Sequence, residues 1–195
     1  MKLFHSPTSP YARKVMVTAI ASGLEQRITV LPTNPHESPA ELLAVNPLSR
    51  IPCLVTEDGV PLFDSPVICE YLDTVGEATL FPPPGPARWR ALKQQAIGDG
   101  MMDAAVGRRM EQGRPTEEAR TALMDRHAAA VSRALDLLEA EPPADHLDIG
   151  TIAICCALGY LDLRFAADDW RTGHPKLAAW FAKMSERPEV ASTKP

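Results

Sequence analysis

Residues 6–15 read Ser6-Pro7-Thr8-Ser9-Pro10-Tyr11-Ala12-Arg13-Lys14-Val15 and set a helix start directly behind a short strand, Lys2 to Phe4. Serine is a favoured N-cap and proline is favoured at the first helical position, so Ser9-Pro10 opens a helix. Ala12, Val15, Met16, Ala19 and Ile20 follow at the spacing of one apolar helix face, and Gly23 supplies the stop. Ser9 has two readings at this level. It is a plain cap, or its hydroxyl joins the positive end of the helix in holding a ligand.

The pattern continues outward from that turn. Arg27 to Leu31 reads as a second strand, and Ser38-Pro39 opens a short helix through Val45, with Ser38 as its cap. Ile51 to Thr56 and Val60 to Phe63 form a hairpin around Glu57-Asp58-Gly59. Asp64-Ser65-Pro66 then caps a helix carrying Val67, Ile68, Tyr71, Leu72 and Val75. Strand–helix units imply parallel pairing and the hairpin adds antiparallel strands, so the α/β part is a four-stranded mixed sheet with three helices.

The proline-rich run Phe81-Pro82-Pro83-Pro84-Gly85-Pro86 cannot extend a helix or strand and reads as a linker. Beyond it the pattern is helical. Met124, Ala128, Val131, Leu135 and Leu138 make a bundle seam, and Ile149, Ile152, Ala153, Cys156, Tyr160 and Leu163 make a second apolar face. A last helix follows Pro175 through Leu177, Trp180, Phe181 and Met184. The expected organisation is an α/β domain over 1–76, a linker over 77–86 and an all-α domain over 87–195.

Composition narrows the function. With 45% hydrophobic and 23% charged residues in a chain of 195, a real core needs no disulfide or metal. The net charge of −5 disfavours nucleic acid and anionic membrane surfaces. No apolar run is long enough to span a bilayer, and Pro7 interrupts any signal-like start. Cys53, Cys69, Cys155 and Cys156 contain no Cys-x-x-Cys pair, which argues against a zinc site or disulfide framework and for a reducing cytoplasm.

Two more segments join Ser9 as site candidates. In Arg50-Ile51-Pro52-Cys53-Leu54, a cis Ile51-Pro52 bond would turn the Ile51 amide and carbonyl outward to pair with an extended ligand; the plainer reading is an edge proline. Asp64-Ser65 at a helix start offers N–H groups and a hydroxyl to a carboxylate; the plainer reading is a cap.

Ser9-Pro10-Tyr11-Ala12 resembles the Cys-Pro-Tyr-Cys turn of glutaredoxins with both thiols replaced. Together with Asn46-Pro47-Leu48-Ser49-Arg50-Ile51-Pro52-Cys53-Leu54 and Phe63-Asp64-Ser65-Pro66-Val67-Ile68-Cys69-Glu70-Tyr71-Leu72, it is similar to the cytosolic glutathione transferase family, in its bacterial, serine-type form. The resemblance covers the whole chain and implies a thioredoxin-like domain followed by an all-helical one.

It implies glutathione as co-substrate, no metal, and conjugation of small hydrophobic electrophiles. Ser9 would donate to the glutathione sulfur, and Ile51, before the cis Pro52, would pair with the cysteinyl backbone. Asp64 and Ser65 would hold the γ-glutamyl end; Arg50, and less directly His36, would meet the glycine carboxylate. Tyr11, Met101, Met102 and Arg108 would line the acceptor pocket, although methionines at helical spacing also suit a core. The family pairs as two-fold homodimers. Its Ser/Thr-x-x-Asp capping box corresponds here to Asp148-Ile149-Gly150-Thr151 with the two ends exchanged, so that Thr151 is not expected to return the box. Two other outcomes remain open: a ligand-binding protein with little turnover, and thiol–disulfide exchange, for which the turn lacks a cysteine. Maleylacetoacetate isomerase-type relatives carry Ser-Ser-Cys where this chain has Thr8-Ser9-Pro10, which argues against that activity.

Overall fold

The computed structural model describes residues 1–194, so Pro195, the end of the expected second domain, lies outside the described residues. Four strands, β1 (Lys2–His5), β2 (Thr29–Pro32), β3 (Cys53–Val55) and β4 (Pro61–Leu62), alternate with α1 (Pro10–Ala21), α2 (Ala40–Leu43) and α3 (Ser65–Val75). Helices α4 (Pro86–Glu111), α5 (Glu118–Ala140), α6 (Ile149–Arg164), α7 (Pro175–Ser185) and α8 (Pro188–Ala191) follow, with no strand after β4 among the described residues. This is a thioredoxin-like α/β domain joined to an all-helical one.

The sheet order is β2-β1-β3-β4. β1 runs parallel to β2 and antiparallel to β3, with Phe4 opposite Cys53, and β3 pairs with β4 through Leu54 and Leu62. This register brings the end of β1, the start of β3 and the end of β4 to one edge of the sheet. The Ser9 turn, Ile51-Pro52 and Asp64-Ser65 therefore open at the same end of the domain. On one face, Phe4 and Cys53 pack with Leu42 of α2 in a small core of their own.

Helix α1 departs from the single apolar face expected of it. Arg13 and Lys14 are buried with Ala12, Val15, Val17 and Ala19, while Met16 and Ile20 are only half-buried. The reason is that α1 contacts α3 on one side and α4, α6 and α8 on the other. Its end is as expected: Gly23 has φ +70°, and the N–H groups of Gly23 and Leu24 close back on the carbonyls of Ile20 and Ala19. Ser38 does not cap α2. It adopts a left-handed φ of 47° after a short turn over Pro35–Glu37, and Pro39 takes the cap position. The Asp64 side chain likewise makes no capping bond to α3.

The helical part is built on α6, which is buried all round from Ile149 to Leu161. Its capping box is complete, contrary to the sequence expectation: Asp148 Oδ1 accepts the Thr151 N–H at 2.9 Å, and Thr151 Oγ1 accepts the Asp148 N–H at 2.9 Å. Only an oxygen acceptor is needed for the return bond, and a threonine hydroxyl supplies it. The Ile149 N–H donates to the Leu80 carbonyl at 3.0 Å, and Asp73 of α3 accepts from the Leu80 and Phe81 amides. The proline-rich segment is thus bonded to helices on both sides.

α4 crosses α6 at glycine. A Cβ on Gly98 would stand 2.6 Å from the Ala153 backbone, whereas one on Gly100 would meet nothing within 4 Å. Gly98→Ala is expected to cost about 1–3 kcal/mol by forcing the helices apart. Gly100→Ala should instead stabilise by about 0.5–1 kcal/mol through helix propensity. Urea unfolding of the two variants beside the parent measures both signs.

Candidate functional site

Ser9 caps α1 with extended backbone, and its Oγ accepts the Ala12 N–H at 3.2 Å. A hydroxyl has one proton and two lone pairs, so accepting from Ala12 leaves the proton free to donate. Capping and ligand contact are therefore compatible in one side chain. Ser9 is half-buried, and the recess beside it is walled by the 7–10 turn, Arg13, and Cys156 and Tyr160 of α6. The second domain closes one side of the Ser9 turn.

The Ile51-Pro52 bond is cis, as is Phe63-Asp64. β3 pairs with β1 from Cys53 onward, so the Ile51 N–H and C=O stand outside the ladder. Asn46 is buried and holds this corner: its Nδ2 donates to the Arg50 carbonyl at 2.8 Å and its Oδ1 accepts from the Leu48 N–H at 3.0 Å. Ser49 Oγ donates to the Pro35 carbonyl at 3.1 Å, which ties the exposed His36 turn to the exposed Arg50 turn. Ser65 is buried at the first turn of α3 beside the exposed Asp64.

The acceptor-pocket residues separate. Tyr11 stays at the domain boundary, its hydroxyl donating to Asp103 Oδ1 of α4 at 2.5 Å, and burial together with that carboxylate pushes its pKa up. Met101 and Met102 are core residues with almost no exposed surface, so neither lines a pocket here. Arg108 turns away as well. It pairs with Asp168, lies over the Phe165 ring at 4.5 Å and opens on a different cavity of about 270 Å³ between α4, α5 and the segment before α7. That cavity has no lining residue from the α/β domain, although it explains why Ala128 of the expected α5 seam is only half-buried.

Sequence patterning overlooked the charged interior. Lys14 is fully buried and its Nζ donates to Asp99 Oδ1 of α4 at 2.6 Å. Burial raises the Asp99 carboxyl above its ordinary value, and the Lys14 ammonium opposes the rise. Arg13 is buried too, donating to the Val190 carbonyl at 3.2 Å and to Thr193 Oγ1 at 3.3 Å. The only local signal for either residue is a pair of cations inside an otherwise apolar helix. Their partners lie 85 or more positions away.

All four cysteines are free and buried, and burial pushes the thiols of Cys53, Cys69 and Cys156 up to about 11. None offers a thiolate at neutral pH. Among the described residues no group of three or more metal-ligating side chains gathers, and no helix is long and apolar enough to cross a membrane.

Residues 8–75 match the family model "Glutathione S-transferase, N-terminal domain", and residues 121–183 match "Glutathione S-transferase, C-terminal domain". The chain is 35% identical to the uncharacterized GST-like protein YibF of Escherichia coli (strain K12), over 100% of this chain and 98% of that protein. It is 42% identical to a glutathione transferase family member from Pseudomonas fluorescens Pf-5 solved with bound glutathione, over 100% of this chain and 98% of that one, with a TM-score of 0.93. The Pseudomonas protein solved with bound S-(propanoic acid)-glutathione superposes with a TM-score of 0.90 at 42% identity, over 100% and 99% of the two chains.

The Lys14–Asp99 pair makes an asymmetric prediction. Asp99 retains 21% side-chain exposure and Lys14 none, so stranding the lysine is the worse change. Asp99→Leu should cost about 3–5 kcal/mol. Lys14→Met should cost clearly less, because water can reach the remaining carboxylate. Chemical denaturation of both variants at neutral pH reads the difference.

Proposed function

The chain belongs to the glutathione S-transferase family, and from that premise we propose that it is a glutathione transferase, activating the glutathione thiol at the Ser9 turn for conjugation to small hydrophobic electrophiles. The observation that carries this is the free proton of Ser9 at the N-terminus of α1. A free thiol titrates near 8.5. A hydrogen bond to its anion contributes about 1.5–3 kcal/mol and the helix end about 0.3–1 kcal/mol. Together they bring the thiol to between about 5.5 and 7, where thiolate is abundant at neutral pH.

The tripeptide would lie along the sheet edge. Ser9 donates to sulfur, the unpaired Ile51 backbone meets the cysteinyl part, Asp64 and Ser65 take the γ-glutamyl end, and Arg50 with His36 faces the glycine carboxylate. The shared edge of the three segments supports this pose, as does the glutathione bound to the Pseudomonas relative. In the reaction the thiolate sulfur forms a bond to the electrophilic carbon. A leaving group departs with its electron pair or, for an activated alkene, the neighbouring carbon takes a proton. Ser9 remains a donor throughout. The S-(propanoic acid)-glutathione on that relative supports a site that accepts an S-substituent. Thiol–disulfide exchange lacks a thiolate, since Cys53 is buried and its thiol sits at about 11.

The four buried free thiols support a reducing cytoplasm. We place the division between domains within 77–86. A homodimer is supported by exposed apolar side chains beside the Arg88–Glu70 ion pair: Trp89 of α4 is 69% exposed and Val67 of α3 is 47% exposed. The double variant Val67→Glu/Trp89→Glu should sediment as a monomer where the parent sediments as a dimer.

Ser9→Ala should raise the pKa of bound glutathione by about one to two and lower kcat/KM toward a generic aryl halide by about 10- to 100-fold. Thiolate absorbance and steady-state conjugation measure these two effects. If glutathione binds but neither protein shows thiolate absorbance, the transferase proposal fails and a binding protein remains.

A further inference from the structure

Arg13 ties α1 to the chain end, whereas Tyr11 and Lys14 tie it to α4, and they do so in step. Tyr11 and Lys14 stand three residues apart on α1, and their partners Asp103 and Asp99 stand four apart on α4. Such spacings put each pair on one helix face, about one turn apart. The Tyr11 hydroxyl donates to Asp103 Oδ1 at 2.5 Å, and Lys14 Nζ donates to Asp99 Oδ1 at 2.6 Å. The later residue on α1 meets the earlier one on α4, so the two helices are joined in an antiparallel sense by two rungs. One bond leaves a helix free to pivot; two bonds a turn apart do not.

The rungs differ in their surroundings. Lys14 is fully buried, whereas Asp103 is exposed and Tyr11 half-buried. A hydrogen bond within reach of water adds little stability, since solvent answers each partner once it breaks. What distinguishes the outer rung is its place. Tyr11 lies two residues from Ser9 in the first turn of α1, the turn that the Ala12 N–H fixes to Ser9 Oγ. Burial and the Asp103 carboxylate both raise the Tyr11 pKa, so the phenol stays protonated as the donor. Past Asp103 the same face of α4 continues through Val106 and Met110, away from Lys14 and toward the end of α1 that carries Ser9. Met110 is 48% exposed there.

We infer that Tyr11 and Asp103 are positioning residues for the electrophile: their bond sets the α4 face beyond Asp103 against the Ser9 turn. The inference rests on glutathione occupying that turn. The segments proposed to hold the tripeptide, at Ser9, Ile51 and Asp64-Ser65, all belong to the α/β domain. The outer rung joins that domain to α4, so it bears on the group bonded to sulfur and not on the tripeptide.

Calorimetric titration with glutathione and with S-hexylglutathione separates the two sides of the site without turnover. Tyr11→Phe keeps the ring and loses only the donor, and Asp103→Ala removes the acceptor from an exposed position. Each should weaken S-hexylglutathione about 3- to 10-fold and leave glutathione affinity unchanged. In Tyr11→Phe the pKa of the bound thiol should also hold. The double variant should be no worse than the single ones, and Asp103→Asn, which still offers a carbonyl oxygen, should recover part of the loss. KM for chlorodinitrobenzene should rise in Tyr11→Phe by the same factor, while KM for glutathione stays as it was. Unchanged S-hexylglutathione affinity in both single variants overturns the inference, and so does an equal loss for the two ligands. Additive losses in the double variant overturn it too. If the aryl chloride is not turned over while the S-hexyl effect is present, the transferase proposal falls and the positioning role stands. If glutathione itself does not bind, both fall.

Discussion

Helix α1 must be buried on two sides while its cap, Ser9, stays half-exposed at its N-terminus. Its flanks pack against α3 and against α4, α6 and α8, so Arg13 and Lys14 lose their water and need fixed partners. Those partners come from α4 and from the chain end: Asp99, Val190 and Thr193. A buried ion pair of this kind adds little net stability over an apolar pair, but removing one partner is costly. It therefore specifies the position of α1 against the helical domain more than it strengthens the fold. The Ser9 hydroxyl inherits that position, since it is fixed to the helix through the Ala12 amide.

The three segments proposed to hold glutathione were legible because each has a local sequence signature. Ser9-Pro10 is a cap and first-turn pair, Ile51-Pro52 precedes a strand, and Asp64-Ser65-Pro66 opens a helix. Strand periodicity and one hairpin then dictate the register that gathers all three at one edge. Even there, side-chain detail escaped. Ser38 and Asp64 look like caps, yet Ser38 adopts a left-handed backbone and Asp64 makes no capping bond. Asn46 looks like part of a loop, yet it holds the turn before the cis proline through two hydrogen bonds.

The proposed acceptor half was legible only as helices. Met101, Met102 and Arg108 lie on α4, which does contact α1, but rotation about its axis decides which side chains face the other domain, and apolar spacing did not resolve it. Asp99 and Asp103, which apolar spacing passes over, are the residues that meet α1. The box at Asp148 and Thr151 shows the same limit at smaller scale. Its two bonds depend on which oxygens are present and not on which residue carries the charge.

What remains unsatisfied in the interior is also informative. Among the described residues the enclosed side-chain atoms without partners are on Ser22, Gln95, Arg164, Arg187 and Glu189. Arg187 and Glu189 lie 3.7 Å apart and partly answer one another, and Ser22 and Gln95 are neutral. Arg164 is engaged as well: its side chain hydrogen-bonds the Tyr160 hydroxyl one helical turn earlier, which opposes the rise that burial gives that group's pKa, so only its Nε is left over. The described interior therefore leaves single atoms, and no whole charge, without an answer, which is what a fold that buries Lys14 only against Asp99 requires.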